Sequence, residues 1–413
     1  MTSALAPLRE REFRLLFAGR LTSQAGSAIA PIALAFAVLE ITGSATDLGI
    51  VIAAGFVPQI LLFLFGGVIA DRFPRHRVMV TTDVIDGFVQ LAAAVLVLRG
   101  SAEIWHLAAL NAVRGGATAF FFPAAQGLTP QTVPAAQLQE ANAILRLTHS
   151  GTNIVGMALG GLLVAAVGPG WALGWDAATY FAGAAVLSLM RTRSTRPAAA
   201  DTSVLAELRD GWIEFSSRTW LWTIVAAAAL GNMATSMGLN VLGPVVADRE
   251  LGGAGPWGFI LASLSTGFLV GGVIALRIRP VHPLRAGQIA LLVAPLSMVG
   301  LALDLQVWAI AAGAFCAGIG LELFGVFWEL SLQQHVPRDK LSRVSSYDAL
   351  GSIVAMPLGQ IVAGPLSDAI GVTNTIWFAV ALFTIPAALC LLVPDVRNLR
   401  RLDLPATAHS TTA

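Results

Sequence analysis

Long apolar segments alternate with short charged loops along most of the chain. About 20 predominantly apolar residues are needed for a helix to cross the hydrocarbon core of a bilayer, and by that measure the pattern predicts about twelve spans. The expected spans are residues 13–41, 48–70, 78–98, 104–122, 141–167, 173–190, 221–247, 257–276, 286–303, 307–327, 344–370 and 375–393. The predicted fold class is therefore all-α and integral to a membrane.

The composition agrees with a membrane protein and argues against most soluble classes. Of the 413 residues, 56% are hydrophobic and 12% are charged, whereas a soluble domain averages about 25% charged residues. There is no G-x-x-x-x-G-K-S/T phosphate loop, no H-E-x-x-H motif and no cysteine-rich metal spacing. A basic patch of the kind that binds nucleic acid is also lacking. We therefore expect no enzymatic activity, no metal, no cofactor and no nucleic-acid partner.

Basic residues concentrate in every second loop. Examples are the groups at 72–77, 191–218 and 277–285, whereas the intervening loops hold only Arg99 and Arg249. Loops rich in lysine and arginine face the cytoplasm in membrane proteins. Both termini are therefore predicted to be cytoplasmic.

A polar linker divides the chain into two halves. The predicted parts are an N-terminal six-helix bundle at 1–190, the linker with an amphipathic helix at 191–218, a C-terminal six-helix bundle at 219–395 and a cytoplasmic tail at 396–413. The halves repeat weakly at an offset of 203 residues, which places Gly156 on Gly359 and Gly161 on Gly364. Internal symmetry of this kind is typical of transporters, so we predict two pseudo-symmetric bundles.

The loop after the second span carries a recognisable charge motif, GVIADRFPRHRVM at 67–79. It resembles the loop between the second and third helices of the major facilitator superfamily. The residues that match the superfamily pattern are Gly67, Ala70, Asp71, Arg72 and Arg75. The resemblance implies that Gly67, Asp71, Arg72 and Arg75 latch the two halves together on the cytoplasmic side in the outward-facing state. Pro74 replaces a glycine of the pattern and excludes a positive φ at that position.

Two further stretches resemble motifs of antiporters in this superfamily. In the fourth span, Arg114 is followed by small residues, and in the fifth span Gly156, Gly160 and Gly161 match a glycine-rich motif whose proline is Met157 here. An arginine at mid-membrane costs at least about 2.5 kcal/mol, so it needs a partner or a wet cavity. A structural ion pair is the alternative to a transport role for Arg114, and ordinary helix packing is the alternative for the glycines.

Carboxyl groups inside apolar segments are candidates for proton coupling, because burial among apolar side chains favours the protonated form. Glu322 lies near the middle of the tenth span and is the first candidate. Glu329 lies two turns further along the same face, and Asp86 lies in the third span. Asp83 is expected instead to pair with an arginine, and Asp176 is expected to cap the start of the sixth span at the outer interface.

In the superfamily, the first, fourth, seventh and tenth helices line the central cavity. The substrate-cavity candidates on these helices are Gln24, Asn111, Phe120, Asn232, Phe327 and Trp328. Aromatic and amide side chains with few charges suit a bulky apolar or amphipathic organic molecule. Core packing accounts equally well for the phenylalanines.

Shorter stretches at 13–16, 42–45 and 123–127 resemble a bacterial branch of the superfamily that contains macrolide-type efflux proteins and the enterobactin exporter. The resemblance implies a monomeric transporter of the bacterial inner membrane. It would export a small hydrophobic or amphipathic compound, such as a drug, an antibiotic or a siderophore-like metabolite, in exchange for protons. Two alternatives stay open at this point: a major facilitator importer of a sugar or organic acid, and a membrane sensor that transports nothing.

Overall fold

The computed structural model describes residues 5–191, 212–337 and 340–402. Within these ranges all regular structure is helical, which confirms the predicted fold class. The described residues form twelve long helices, numbered in chain order. They are α1 (Arg11–Ser27 and Ala30–Thr42), α2 (Ala45–Arg72), α3 (Arg75–Leu98), α4 (Ile104–Leu128), α5 (Leu138–Val167), α6 (Pro169–Ser188), α7 (Thr219–Leu251), α8 (Ala254–Ala275), α9 (Pro283–Leu291 and Leu296–Ala302), α10 (Val307–His335), α11 (Leu341–Ile353 and Met356–Ile370) and α12 (Val372–Cys390).

Three of the long helices are interrupted, and a proline accompanies each interruption. Pro31, Pro295 and Pro357 lie at or just after the breaks in α1, α9 and α11. Proline lacks a backbone N–H and clashes with the preceding turn, so it kinks or breaks a helix interior but is tolerated in the first turn of a new helical segment. The other irregular elements are π-helical segments of α7 at Ser236–Val241 and Ala247–Leu251, 3₁₀ turns at Ala6–Arg9, Thr129–Gln131 and Ala135–Gln137, and short helices at 212–216 and Pro394–Arg397.

By length and composition, ten helices of the described chain are apolar enough to cross a membrane. The two long helices outside this set are α4 and α6. Polar residues lower the mean hydropathy of both, since α4 carries Arg114 and α6 carries Asp176. Both of these residues belong to the site described below.

The helices pack as two groups of six, α1–α6 and α7–α12, which meet along α2–α11 and α5–α8. We call the side of the molecule where α1 begins and α12 ends the basic side, because the arginine-rich loops lie there. On the side opposite to it, the groups contact each other closely through glycines. A Cβ atom at Gly364 of α11 would lie 2.2 Å from Cα of Thr46 in α2. A Cβ atom at Gly161 of α5 would lie 2.5 Å from the carbonyl oxygen of Ala254 in α8.

The weak sequence repeat corresponds to equivalent positions in the two bundles. Gly161 and Gly364, which the 203-residue offset pairs, hold the two equivalent contacts between the bundles. The same offset pairs Gly168 with Gly371, and both have positive φ, +84° and +88°, in the turns that join α5 to α6 and α11 to α12. A residue with a Cβ rarely adopts this conformation, so glycine is required at both turns. The pseudo-symmetry predicted from the sequence therefore extends to individual backbone conformations.

The end of the linker is tied to the C-terminal bundle. Glu214 accepts hydrogen bonds from Nζ of Lys340, at 2.8 Å, and from Nε of Arg218, at 2.9 Å. These bonds, with the Lys340 bond contributing most, hold the pKa of Glu214 below its usual range. The amphipathic helix is predicted over residues 204–212. Residues 204–211 lie outside the described residues, as does the tail from 403 onwards.

Candidate functional site

Two adjoining cavities lie between the bundles. The first, of about 960 Å³, is lined by polar residues of α1, α3, α4, α5 and α6 together with Glu322 of α10; we call it the polar compartment. The second, of about 490 Å³, lies further toward the side opposite the basic loops. It is lined mainly by apolar residues of α1, α2, α4, α5, α7 and α8, and we call it the apolar compartment. Arg114 and Thr118 border both compartments. The space between the bundles is therefore amphipathic along its length.

Helical spacing explains why the polar compartment is polar. On α1, Arg20, Ser23, Gln24 and Ser27 line it at intervals of three and four residues. Residues with this spacing lie on one face of a helix. Asn142, Arg146 and His149 repeat the same spacing on α5. Each of these helices thus presents a polar stripe to the cavity.

A buried cluster of charges forms the wall of this compartment. It comprises Asp83 and Asp86 of α3, Arg114 of α4, and Asp176 and Tyr180 of α6. The three aspartates are 1%, 4% and 0% exposed. Arg114 interacts electrostatically with Asp86, Asp176 and Tyr180. We call this set the buried charge cluster.

Hydrogen bonds from neighbouring helices hold the cluster in place. Ser23 Oγ of α1 donates to Asp83 Oδ2 at 2.8 Å, and Gln90 Nε2 of α3 donates to Asp176 Oδ2. Ser27 Oγ donates to the Tyr180 hydroxyl at 3.0 Å. With these bonds the cluster joins α1, α3, α4 and α6 of the N-terminal bundle, so a change in its charge would affect all four helices.

The cluster contains more acidic than basic groups. Among the described residues it places three carboxyl groups beside the single guanidinium of Arg114. An uncompensated buried charge costs several kcal/mol, and burial favours the neutral form of a carboxyl group. Asp86 Oδ1 and Asp176 Oδ1 accept no hydrogen bond within the described part of the chain. The arrangement is therefore suited to taking up and releasing protons.

The three predicted proton-coupling residues lie in different surroundings. Asp86 belongs to the buried charge cluster. Glu322 is partly exposed in the polar compartment, where Arg146 of α5 is its neighbouring basic group. Glu329 is exposed and accepts a hydrogen bond from Gln333 Nε2 at 2.7 Å, and it is absent from the described linings of both compartments.

The predicted substrate-cavity residues divide into three groups. Gln24 lines the polar compartment, and Asn111 lines the apolar compartment while its Nδ2 donates to the carbonyl oxygen of Val51 at 2.8 Å. Asn232 and Trp328 line a separate cavity of about 300 Å³ within the C-terminal bundle. There, Trp328 Nε1 donates to Asp348 Oδ2 at 2.9 Å, and Asn232 Nδ2 donates to the carbonyl oxygen of Ser352 at 2.9 Å.

The two predicted phenylalanines are packing residues in this conformation. Phe120 packs against the core formed between α1, α3 and α4. Phe327 is 4% exposed and lies beside Gly287 of α9. Neither contributes to the described linings of the cavities between the bundles.

The expected position of Asp176 at the outer interface is wrong. The expected sixth span begins at 173, so Asp176 was assigned to the start of a helix at the outer interface. The structure begins α6 at Pro169, one turn earlier, and Asp176 is completely buried. Helical spacing could have indicated its burial. Asp83, Asp86 and Gln90 share one face of α3, and Asp176 and Tyr180 lie one turn apart on α6, so each helix carries a polar stripe that can be buried against the other.

The charge-motif loop is short. α2 ends at Arg72, α3 begins at Arg75, and Pro74 between them has a φ of −55°, as its ring requires. The Arg75 guanidinium donates to the carbonyl oxygen of Gly127 at the end of α4, and Arg72 is exposed. The side chains at 64–71, including the predicted latch residues Gly67 and Asp71, lie outside what the structure describes. The latch therefore stays a prediction.

The three motif glycines of α5, Gly156, Gly160 and Gly161, make close helix contacts. Gly156 and Gly160 face Ala28 and Ile29 at the break in α1, where a Cβ at Gly156 would lie 2.4 Å from the Ala28 Cβ. Gly161 faces α8 in the other bundle. The glycine motif thus positions both the bent part of α1 and the contact between the bundles.

Comparison with known proteins identifies the family. A family model described as "Transmembrane secretion effector", a family of major facilitator transporters, matches residues 2–304, which is more than half of the chain. The chain belongs to this family of the major facilitator superfamily. It is accordingly a multi-pass membrane transporter rather than an enzyme.

Relatives of this transporter include efflux proteins. Macrolide efflux protein A of Streptococcus pyogenes is 26% identical over 409 residues, which cover 95% of this chain and 98% of the relative. The multidrug efflux pump Tap of Mycolicibacterium fortuitum is 30% identical over 384 residues, which cover 87% and 90%. The enterobactin exporter EntS of Salmonella typhimurium is 24% identical over 364 residues, which cover 86% and 85%.

Solved structures with the same fold include two that are described as inward-facing. A bacterial homolog of the human lysosomal transporter Spinster, in an inward-facing and unoccupied conformation, has a TM-score of 0.73 and 16% identity over 97% of this chain and 99% of that one. A bacterial homologue of the iron transporter ferroportin has a TM-score of 0.71 and 15% identity over 92% and 98%. At these identities the likeness concerns the fold alone.

Proposed function

We propose that the protein exports a small amphipathic organic compound from the bacterial cytoplasm in exchange for protons. The observation that supports this proposal best is the amphipathic space between the bundles, whose polar compartment is walled by the buried charge cluster. Substrate and proton sites that share one cavity can be coupled by electrostatics and by the movement of the same helices. The efflux proteins among its relatives support the direction of transport.

The conformation corresponds to the substrate-loading state of such a cycle. Glycines close the side opposite the basic loops, and the polar compartment lies nearer the basic side. Loops rich in arginine are typical of the cytoplasmic face, so the cavity is assigned to the cytoplasm. Rocking of the two bundles about the cavity would then close the basic side and release the compound on the other side.

The buried charge cluster is assigned the proton-binding role together with Glu322. In a state open to the outside, water would reach the carboxyl groups and supply protons. When the cavity faces the cytoplasm, substrate binding beside Arg114 would favour release of those protons. Arg114 stays charged throughout, since a guanidinium is not deprotonated in proteins, and it compensates the carboxylates that remain.

Exchange of single carboxyl groups tests this assignment. Reconstituted protein with Glu322→Gln is expected to lose substrate-driven proton flux by about tenfold, because Glu322 lines the cavity. Glu329→Gln is the matched control and is expected to keep most of the flux, because Glu329 lies outside the described cavity linings. The measurement is alkalinisation of the lumen of acid-loaded proteoliposomes on addition of a transported amphipathic dye. Full flux in the Glu322→Gln protein would remove that residue from the proton pathway.

A further inference from the structure

We propose that the polar compartment recognises an anionic head group, through Arg20 and Arg146, while the apolar compartment holds the apolar body of the same molecule. The substrate class is then an amphipathic anion, such as a compound that carries a carboxylate. This inference rests on the proposed export function and specifies its substrate.

Arg20 is the first observation that points to an anion. It lies on the cavity face of α1, and its Nε is buried without a hydrogen-bond partner among the described residues. Its side chain makes no ion pair in the described part of the chain. A guanidinium within a membrane protein requires an anion or water to replace its lost hydration. The fork of N–H donors on Arg20 is available to a ligand in the cavity.

Arg146 supplies a second cation on the facing helix. It lies on the cavity face of α5, is exposed, and makes no ion pair among the described residues. His149, one turn further along α5, lies within electrostatic range of Arg20. Its ring nitrogen Nε2 is hydrogen-bonded to Asn153 Nδ2 at 3.1 Å. The face of α5 thus brings a second guanidinium into the compartment that contains Arg20.

The carboxyl groups that face the polar compartment each have a hydrogen-bond partner or a basic neighbour other than Arg20. Asp83 is engaged by Ser23, and Asp86 lies beside Arg114 in the buried charge cluster. Glu322 of α10 is the remaining carboxylate in the lining, and Arg146 is its basic neighbour. No carboxylate among the described residues forms an ion pair with Arg20. An incoming carboxylate would therefore find a bidentate partner in Arg20, the geometry in which arginine binds carboxylates best.

The apolar compartment would bind the apolar body of the same molecule. Its lining is mainly apolar, with aliphatic side chains and the rings of Phe56 and Trp257. Both compartments meet at Arg114 and Thr118, so one molecule can extend through both. A ligand with an apolar body and an acidic end would bury its body there and keep the acid near the arginines. A cationic end placed between Arg20 and Arg146 would instead be repelled by two guanidinium groups.

Two xanthene dyes of opposite charge test the proposal. Binding of fluorescein, an anion, and of tetramethylrhodamine methyl ester, a cation, is measured with the purified full-length protein in detergent. We expect the wild-type protein to bind fluorescein about tenfold more tightly than the cationic dye. Arg20→Gln should weaken fluorescein binding by about tenfold and leave the cationic dye unchanged, and Arg20→Lys should give an intermediate loss because the charge remains without the fork.

Arg99→Gln, in an exposed loop on the far side, is the matched control and should bind both dyes as the wild type does. Size-exclusion profiles identify any variant that has misfolded, and Arg146→Gln then serves as the second test. Equal loss of both dyes in well-folded Arg20→Gln protein, tighter binding of the cationic dye by the wild type, or no binding of fluorescein would overturn the proposal. Because binding requires neither transport nor protons, charge selectivity without proton flux would contradict the proposed function alone.

Discussion

Replacement of Arg114 by glutamine is expected to abolish transport and to destabilise the protein strongly. The change removes the cation that interacts with Asp86 and Asp176 and leaves buried carboxylates without compensation. Removing one partner from a buried ionic arrangement typically costs about 3–5 kcal/mol. We therefore expect a lower yield, a lower unfolding temperature in detergent and no measurable substrate-driven proton flux.

A second substitution separates charge balance from transport. Asp86→Asn in the Arg114→Gln background removes one uncompensated carboxylate, so it should recover much of the lost thermal stability. It should not recover flux, since both a proton site and its counter-charge are then missing. Unfolding temperature is followed by intrinsic fluorescence, and flux is followed in proteoliposomes. An Arg114→Gln protein with wild-type stability and flux would show that the buried charge cluster is neither structural nor functional.

A side chain at Gly364 is expected to hold the transporter open on the side opposite the basic loops. A Cβ at this position would lie 2.2 Å from Cα of Thr46, so α2 and α11 cannot approach as they do here. Gly364→Val should shift the population away from this conformation and reduce transport by about tenfold or more. The bundles can separate at this contact in the other half of the cycle, so folding should be affected much less than transport.

The distance between the bundles checks this expectation. Spin labels at Thr42 and Thr373, both exposed on that side, should move apart in Gly364→Val protein, as measured by double electron–electron resonance. Gly325→Ala is the matched control, because a Cβ there meets nothing within 4 Å. Gly161→Val, at the equivalent contact, should repeat the effect. Unchanged label distances together with normal transport in both valine variants would contradict the assignment of these glycines to closure.

Much of the fold could be predicted from the sequence because a bilayer imposes one length on every span. Apolar runs therefore predict the twelve long helices of the described residues, and arginine placement predicts which loops share a side. Helix ends were predicted less well. α10 continues to His335 and α4 to Leu128, several residues beyond their apolar runs. Helices continue past the hydrocarbon region, where polar side chains carry no cost of membrane insertion. The apolar run therefore gives the length of the span and not the length of the helix.

The site was harder to predict than the fold. Asp86 and Glu322 can be proposed from the sequence because each is a carboxyl group inside an apolar run, and Arg114 because it resembles a superfamily motif. The partnerships that form the cluster cross between helices, as Ser23 does with Asp83 and Gln90 does with Asp176. Such pairs depend on how each helix is rotated about its axis and against which helix it packs. The spacing of polar residues along one helix does not determine either. An error of one turn at the start of α6 was enough to misplace Asp176.

Uptake of a dye into proteoliposomes tests whether efflux is coupled to protons. Proteoliposomes with an acidic lumen in a neutral buffer are mixed with a dye that the protein binds, and protein-free liposomes correct for passive entry. We expect the dye to accumulate in the acidic lumen, the lumen to become more alkaline as it does so, and a protonophore to stop both. Accumulation that requires an acidic exterior, or that persists unchanged with the protonophore, would contradict this expectation.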